Sequence, residues 1–140
     1  TVPEQAVGTR IKFNDCVYQY VKATAAITAY QLCKISNTFT AAPGTTTLLP
    51  NTEPAKVGAA QVALASGDYG WLAVGPGLMT VLCAASCAQD VVLYTTATDG
   101  VVDDSATTRI NGLKLIATIT TAAASPCVAE CELATLLAAN

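Results

Sequence analysis

Val57–Val74, VGAAQVALASGDYGWLAV, and Val91–Asp104, VVLYTTATDGVVDD, decide the fold of this chain. Each is an apolar run interrupted once by turn-forming residues, Ser66-Gly67-Asp68 in the first and Thr98-Asp99-Gly100 in the second. Short runs rich in Val, Tyr and Thr between such residues read as strands. Asp-Gly readily takes the positive φ angles of a tight turn, so Asp99-Gly100 is the clearest hairpin signal.

The rest of the chain follows the same pattern. Arg10–Phe13 and Cys16–Lys22 read as a hairpin about Asn14-Asp15. Ala23–Gln31 reads as a short helix or a loop, and Leu32–Ile35 as a strand. Thr38–Glu53, with Pro43, Gly44 and Pro50, is mostly loop with room for one edge strand. Ala55–Ala63, Tyr69–Val74, Leu78–Cys83, Val91–Thr95, Val101-Val102 and Leu113–Thr120 are further strands. Val128–Leu133 closes the sheet, unless Cys131–Asn140 forms a terminal helix. Many short strands at regular spacing imply an all-β protein, a small antiparallel β-barrel or β-sandwich. Residues 1–9 read as an irregular N-terminal arm and residues 10–140 as a single β-rich domain. No internal repeat is visible in the sequence.

Composition narrows the function. At 140 residues the chain can bury a core of its own. Charged residues are 12 %, about half the usual share of ~25 %. A net charge of −3 without a basic run argues against nucleic acid and anionic membrane as partners. Tyr69–Gln89 carries no charged side chain. Its length would span a bilayer, but Gly70, Gly75, Pro76 and Gly77 break a helix there. Two strands around a Gly-Pro-Gly turn fit better. So little charge suggests a surface largely covered by partners. The first residues show no charged region ahead of an apolar core, so no signal peptide is expected, and Thr1 suits a terminus left by methionine removal.

Catalytic patterns are missing. The chain has no histidine, which removes Ser-His, Cys-His and most zinc-hydrolase designs. No phosphate-binding glycine loop is present, and no cofactor or enzymatic activity is expected. Asp99, Asp103 and Asp104 lack the spacing of a calcium loop and read as solvated carboxylates at a hairpin end, so no metal is expected.

Six cysteines, Cys16, Cys33, Cys83, Cys87, Cys127 and Cys131, leave three readings open. They form disulfides, or Cys83, Cys87, Cys127 and Cys131 hold zinc, or all are buried thiols. A regular strand would hold Cys83 and Cys87 about 13 Å apart, too far for a bridge, so a local bridge needs a loop there. Tyr69 and Trp71 read as core-packing aromatics that hold a docking surface in shape, with an interface anchor as the alternative reading of Trp71. Tyr18, Tyr20 and Tyr30 form a second aromatic group, with Tyr18 and Tyr20 on one face of an extended segment.

Val17–Gln31 (VYQYVKATAAITAYQ), then GAAQVALASGDYGWLAV and VVLYTTATDGVVDD in that order, resemble a family of short structural proteins of tailed bacteriophages, several of them capsid decoration (cement) proteins. The resemblance covers roughly Gly8 to Thr120, and its most specific parts are Gly67–Trp71 and Leu93–Gly100. It implies a β-barrel or β-tulip domain on the outer surface of a phage head. It also implies the major capsid protein as partner, assembly as a homotrimer and synthesis in the bacterial cytoplasm. Thr1, Val2, Pro3, Glu4 and Gln5 of the arm are then the candidate contact residues. The six cysteines depart from that pattern. The rival expectation is a host- or glycan-binding β module on a head or fibre.

Overall fold

Alternation along the strands sets the architecture. In Gly77–Cys83 the side chains of Met79, Val81 and Cys83 are buried, while Leu78, Thr80 and Leu82 between them are more open. The computed structural model describes residues 3–13, 16–44, 55–105, 109–120 and 125–136. All regular elements among them are strands. They are β1 (Arg10–Phe13), β2 (Cys16–Ala23), β3 (Leu32–Ile35), β4 (Thr40–Pro43), β5 (Ala55–Ala60), β6 (Tyr69–Ala73), β7 (Gly77–Cys83), β8 (Leu93–Thr95), β9 (Val101–Asp103), β10 (Arg109–Leu115) and β11 (Ser125–Leu136).

Strand pairing closes on itself twice. β2 pairs with β4, β4 with β3, β3 with β5, β5 with β6, and β6 returns to β2. β7 pairs with β9, β9 with β8, β8 with β10, β10 with β11, and β11 returns to β7. Each ring has one parallel pairing, β2–β4 in the first and β7–β9 in the second. The β-barrel expected from sequence is therefore present, in mixed rather than wholly antiparallel form. β1 is an extra antiparallel strand on the first half of β2.

The two rings share one topology: advancing each strand of the first by five gives the second. Local details recur as well. Lys22↔Thr40 and Ala23↔Ala41 in the first barrel match Leu82↔Val101 and Cys83↔Val102 in the second. Thr24 N donates to Ala41 O (2.9 Å), as Ala84 N does to Val102 O (2.7 Å). Tyr30 and Asp90 both take positive φ, and so do Phe39 and Gly100, each just ahead of the third strand of its barrel. The Ser36 and Thr96 hydroxyls each accept from the amide two residues on, at 3.3 and 3.1 Å. The chain is thus a tandem of two like barrels.

The buried side chains form two clusters, one of which draws on both barrels. Val21, Ala23, Ile27, Cys33, Ile35 and Leu72 fill the first. Met79, Val81, Leu93, Ile110 and Leu115 fill the second and join an apolar cluster with Cys16, Leu32, Val57 and Ala73 from the outer wall of the first. Polar groups at the seam are paired. Leu82 N donates to Tyr30 O (2.8 Å), and Leu32 N donates to Gly100 O (2.9 Å). The Gln61 side chain imitates a strand: Nε2 donates to Thr80 O (3.0 Å) and Oε1 accepts from Thr80 N (3.2 Å).

Several boundaries move. Thr40–Pro43 is a strand within the stretch read as loop, and Pro43 sits at its end, where a missing N–H is tolerated. The strand expected over Leu113–Thr120 runs instead over Arg109–Leu115. The alternative terminal helix over Cys131–Asn140 gives way to strand through Leu136, with residues 137–140 outside the described residues. The turn expected at Asn14-Asp15 lies outside the described residues; β1 and β2 on either side of it pair antiparallel.

Gly100 joins turn and seam. Its φ is +69°, and an added Cβ would meet the side chain of Gln31. Gly67 has φ +91° with open space around it. Gly100→Ala should cost more than Gly67→Ala, which carries only the left-handed penalty of about 1–2 kcal/mol. Urea denaturation of the two variants checks the order; equal losses would mean that the seam is not tightly packed at Gly100.

Candidate functional site

The outer walls of the two barrels differ where their topology is the same. On the first, Tyr20 lies opposite Trp71 and Lys22 opposite Tyr69. The Tyr20 ring is 4.9 Å from Trp71 and stacks on Tyr69 at 6.0 Å. Lys22 Nζ lies 5.7 Å over the Tyr69 ring. Tyr20 points away from the barrel interior yet is buried, because the arm covers it. Glu4 N donates to Tyr20 Oη (3.1 Å), Gly8 N donates to Tyr20 O (2.7 Å), and Tyr20 N donates to Thr9 O (2.9 Å). Pro3, Glu4 and Gln5 are exposed on this cover; Thr1 and Val2 lie outside the described residues. Tyr69 and Trp71 are half-buried cladding of the outer wall, not members of either core.

On the second barrel the pair equivalent to Tyr20↔Trp71 is Thr80↔Val128. Leu78 stands where Tyr18 stands in the first. Leu78 is 53 % exposed and Val128 40 %. Ile116 beside Val128, its N–H donating to Val128 O at 3.3 Å, is 46 % exposed. Among the described residues no segment covers this wall as the arm covers the first. Leu78 on β7, Val128 on β11 and Ile116 just past β10 thus lie on one wall, with Glu130 opposite Leu78 and Lys114 opposite Glu130; single exposed apolar side chains are ordinary, and several on one face are a candidate contact surface.

A second distinctive region is one end of the second barrel, where β7, β9 and β11 meet the Ala84–Asp90 loop. Cys83 and Cys87 are fully buried and Cys127 is half-buried. The Cys83 thiol interacts with those of Cys87 and Cys127. Cys87 Sγ is 4.0 Å from Asp103 Oδ1. One donor atom from each of Cys87, Asp103 and Asp104 lies within 4.8 Å of the others. Backbone amides orient both carboxylates: Asp104 N donates to Asp103 Oδ1, and Ala88 N to Asp104 Oδ2, each at 2.8 Å. Burial, reinforced by the two carboxylates, pushes the Cys87 thiol up to about 11. Burial also raises Cys83 and Cys127, and it takes Cys33, alone inside the first barrel, to about 12.

The five described cysteines, Cys16, Cys33, Cys83, Cys87 and Cys127, are free thiols. The structure groups three of them and separates the fourth of the C-x-x-x-C set. Cys127 pairs in register with Val81, near the Cys83 end of β7, while Cys131 pairs with Gly77 at the other end. Four strand residues span about 13 Å, so a four-thiolate centre does not form. A shallow groove beside β10 is lined by Asp90, Arg109, Lys114 and Glu130, and its Lys114–Asp90 ion pair, at 3.4 Å, is exposed. Such a pair contributes at most about 1 kcal/mol.

No protein-family model matches this chain, and no curated protein matches it either.

Sequence reasoning named the cysteines and the carboxylates but not their grouping. It missed the row of Leu78, Ile116 and Val128. Alternation in Leu78–Cys83 carried the signal for Leu78, since one of its two faces had to point outward. Raised thiols hold little reactive thiolate at neutral pH. Alkylation of the native protein at pH 8, followed residue by residue with mass spectrometry, should therefore modify the more open Cys127 before Cys33 and Cys83. Labelling of all three at the same rate before unfolding would contradict the described burial.

Proposed function

We propose that this chain is a non-enzymatic structural protein of a phage particle, which binds the outer surface of the head through its second barrel and stabilises the shell. The observation that carries the proposal is the exposure of Leu78, Val128 and Ile116 on the second wall, where the matching Tyr20–Trp71 pair of the first wall is covered by the arm. The arm covers Tyr20 on the first wall, although Ile11 and Phe13 of β1 stay exposed beside it, and the matching part of the second wall has no such cover among the described residues. Scarce charge and the resemblance of Gly67–Trp71 and Leu93–Gly100 to decoration proteins support the same reading. The major capsid protein is the proposed partner, with a homotrimer as the docked form, since closed symmetry is the rule for homo-oligomers.

The energetics are those of mass action. A protein that binds only the intact shell stabilises it by about 2.7 kcal/mol per site at a hundredfold excess over Kd. Half-exposed Tyr69 and Trp71 favour one competing reading, glycan binding on the first barrel, because aromatic faces can stack on sugars.

Undecorated heads incubated with the protein should bind it and release DNA at a higher temperature than bare heads. The double variant Leu78→Asp/Val128→Asp should bind at least about tenfold more weakly, a loss of ~1.4 kcal/mol or more, while keeping its fold. Heads that bind both proteins equally, or bind neither, contradict the proposal. Retention on immobilised glycans that is lost in Trp71→Ala would favour the competing reading.

A further inference from the structure

The tandem architecture supplies an internal comparison for the thiol and carboxylate cluster. Strand register equates Cys83 with Ala23 and Cys127 with Gly70. It likewise equates Asp103 with Ala42 and Asp104 with Pro43. Cys87 corresponds to Ile27, each four residues beyond its strand partner and each bonded to the loop between the last two strands of its barrel. Ile27 and Leu64 exchange two bonds of 2.8 Å, and Ile119 N donates to Cys87 O at 2.8 Å. In the first barrel this end is closed by hydrocarbon. Leu64 lies over Gly70, where an added Cβ would sit 2.5 Å from Leu64 Cδ2. The same fold thus closes without a single ligating side chain at any of the five positions. In the second barrel all five carry one. Packing alone does not account for that difference.

We infer that this end of the second barrel is a zinc site built on the Cys87 thiolate and carboxylate oxygens of Asp103 and Asp104, whose donor atoms lie within 4.8 Å of one another, with the neighbouring Cys83 thiolate drawn in as the fourth ligand. Zinc accepts sulfur and carboxylate oxygen in a four-coordinate site. Calcium and magnesium prefer all-oxygen shells and do not suit buried thiols. Ligands at ~2.3 Å (sulfur) and ~2.0 Å (oxygen) lie about 3.5 Å apart in a tetrahedron. The 4.0 Å between Cys87 Sγ and Asp103 Oδ1 needs only a small contraction. Ala88 N donates to Asp104 Oδ2 and so ties this ligand to the loop that carries Cys87, while Cys127, beside Cys83, borders the site. On binding, the metal replaces the thiol protons, which leave to solvent. No electron transfer is involved. Zinc would then tie the ends of β7 and β9 to the Ala84–Asp90 loop where the first barrel uses Ile27 and Leu64.

The full chain, kept reduced and stripped of metal, should be titrated with zinc chloride against a chromophoric chelator, with cobalt(II) as an optical probe. The inference expects one zinc per chain, a higher melting temperature, and a thiolate-to-cobalt charge-transfer band. Cys87→Ser should weaken binding by about tenfold or more, and Cys33→Ser should leave it unchanged. Asp103→Asn, which keeps every thiol in place, should also weaken binding and alter the cobalt spectrum, so a misfolded serine variant would not decide the matter. No uptake by the folded reduced protein would overturn the inference. So would unchanged uptake in both Cys87→Ser and Asp103→Asn, or cobalt bound without a thiolate band.

Discussion

Closure of strand pairing is the constraint on which this structure depends. Each barrel becomes a ring through one parallel contact, β2 to β4 and β7 to β9, made by only two residue pairs in each case. A closed ring has no free edge, and free edges invite pairing with other chains. A chain with 12 % charged residues has few other means of avoiding that. The strand outside the rings, β1, is short and alternates Arg10 and Lys12 with Ile11 and Phe13, a common way to blunt an edge. Closure also fixes the interior. A ring this small is filled by its own side chains, so function is confined to the outer walls and the ends.

Two barrels of one topology can carry different walls and ends without loss of fold. The first barrel invests its outer wall in Tyr20, Tyr69, Trp71 and the arm, and closes its end with Ile27 and Leu64. The second leaves Leu78, Ile116 and Val128 bare and lines its end with thiols and carboxylates. Both differences fall at equivalent positions of one topology, so neither is forced by the fold. The proposed docking and the inferred metal site both belong to the second copy. The first copy packs against the second through the cluster that Cys16, Leu32, Val57 and Ala73 join.

Much of the strand content is legible in the sequence, because alternation and turn residues are local signals. The β1–β2 pairing and the hairpin at Asp99-Gly100 belong to that class. Duplication is not legible, because it is written in register and backbone angles. Positive φ at Tyr30 and Phe39 has no glycine to announce it, and the matching residues are Asp90 and Gly100. The parallel pairings join strands separated by another strand, so no turn signal marks them. The cysteine grouping was obscured for a related reason. Two C-x-x-x-C pairs look alike in sequence, but Cys83 and Cys87 bracket a turn, whereas Cys127 and Cys131 lie along one continuous strand. Only the first spacing lets both thiols reach a common point.

The central claim is that the second barrel faces the partner and the first stands away from it. Electron cryomicroscopy of heads saturated with the protein, at a resolution that separates strands, tests it directly. The account predicts density that places the β10–β11–β7 wall, with Leu78, Ile116 and Val128, against the shell, and the Tyr20–Trp71 wall toward solvent. A map with the aromatic wall on the shell and the Leu78–Val128 wall in solvent would contradict it.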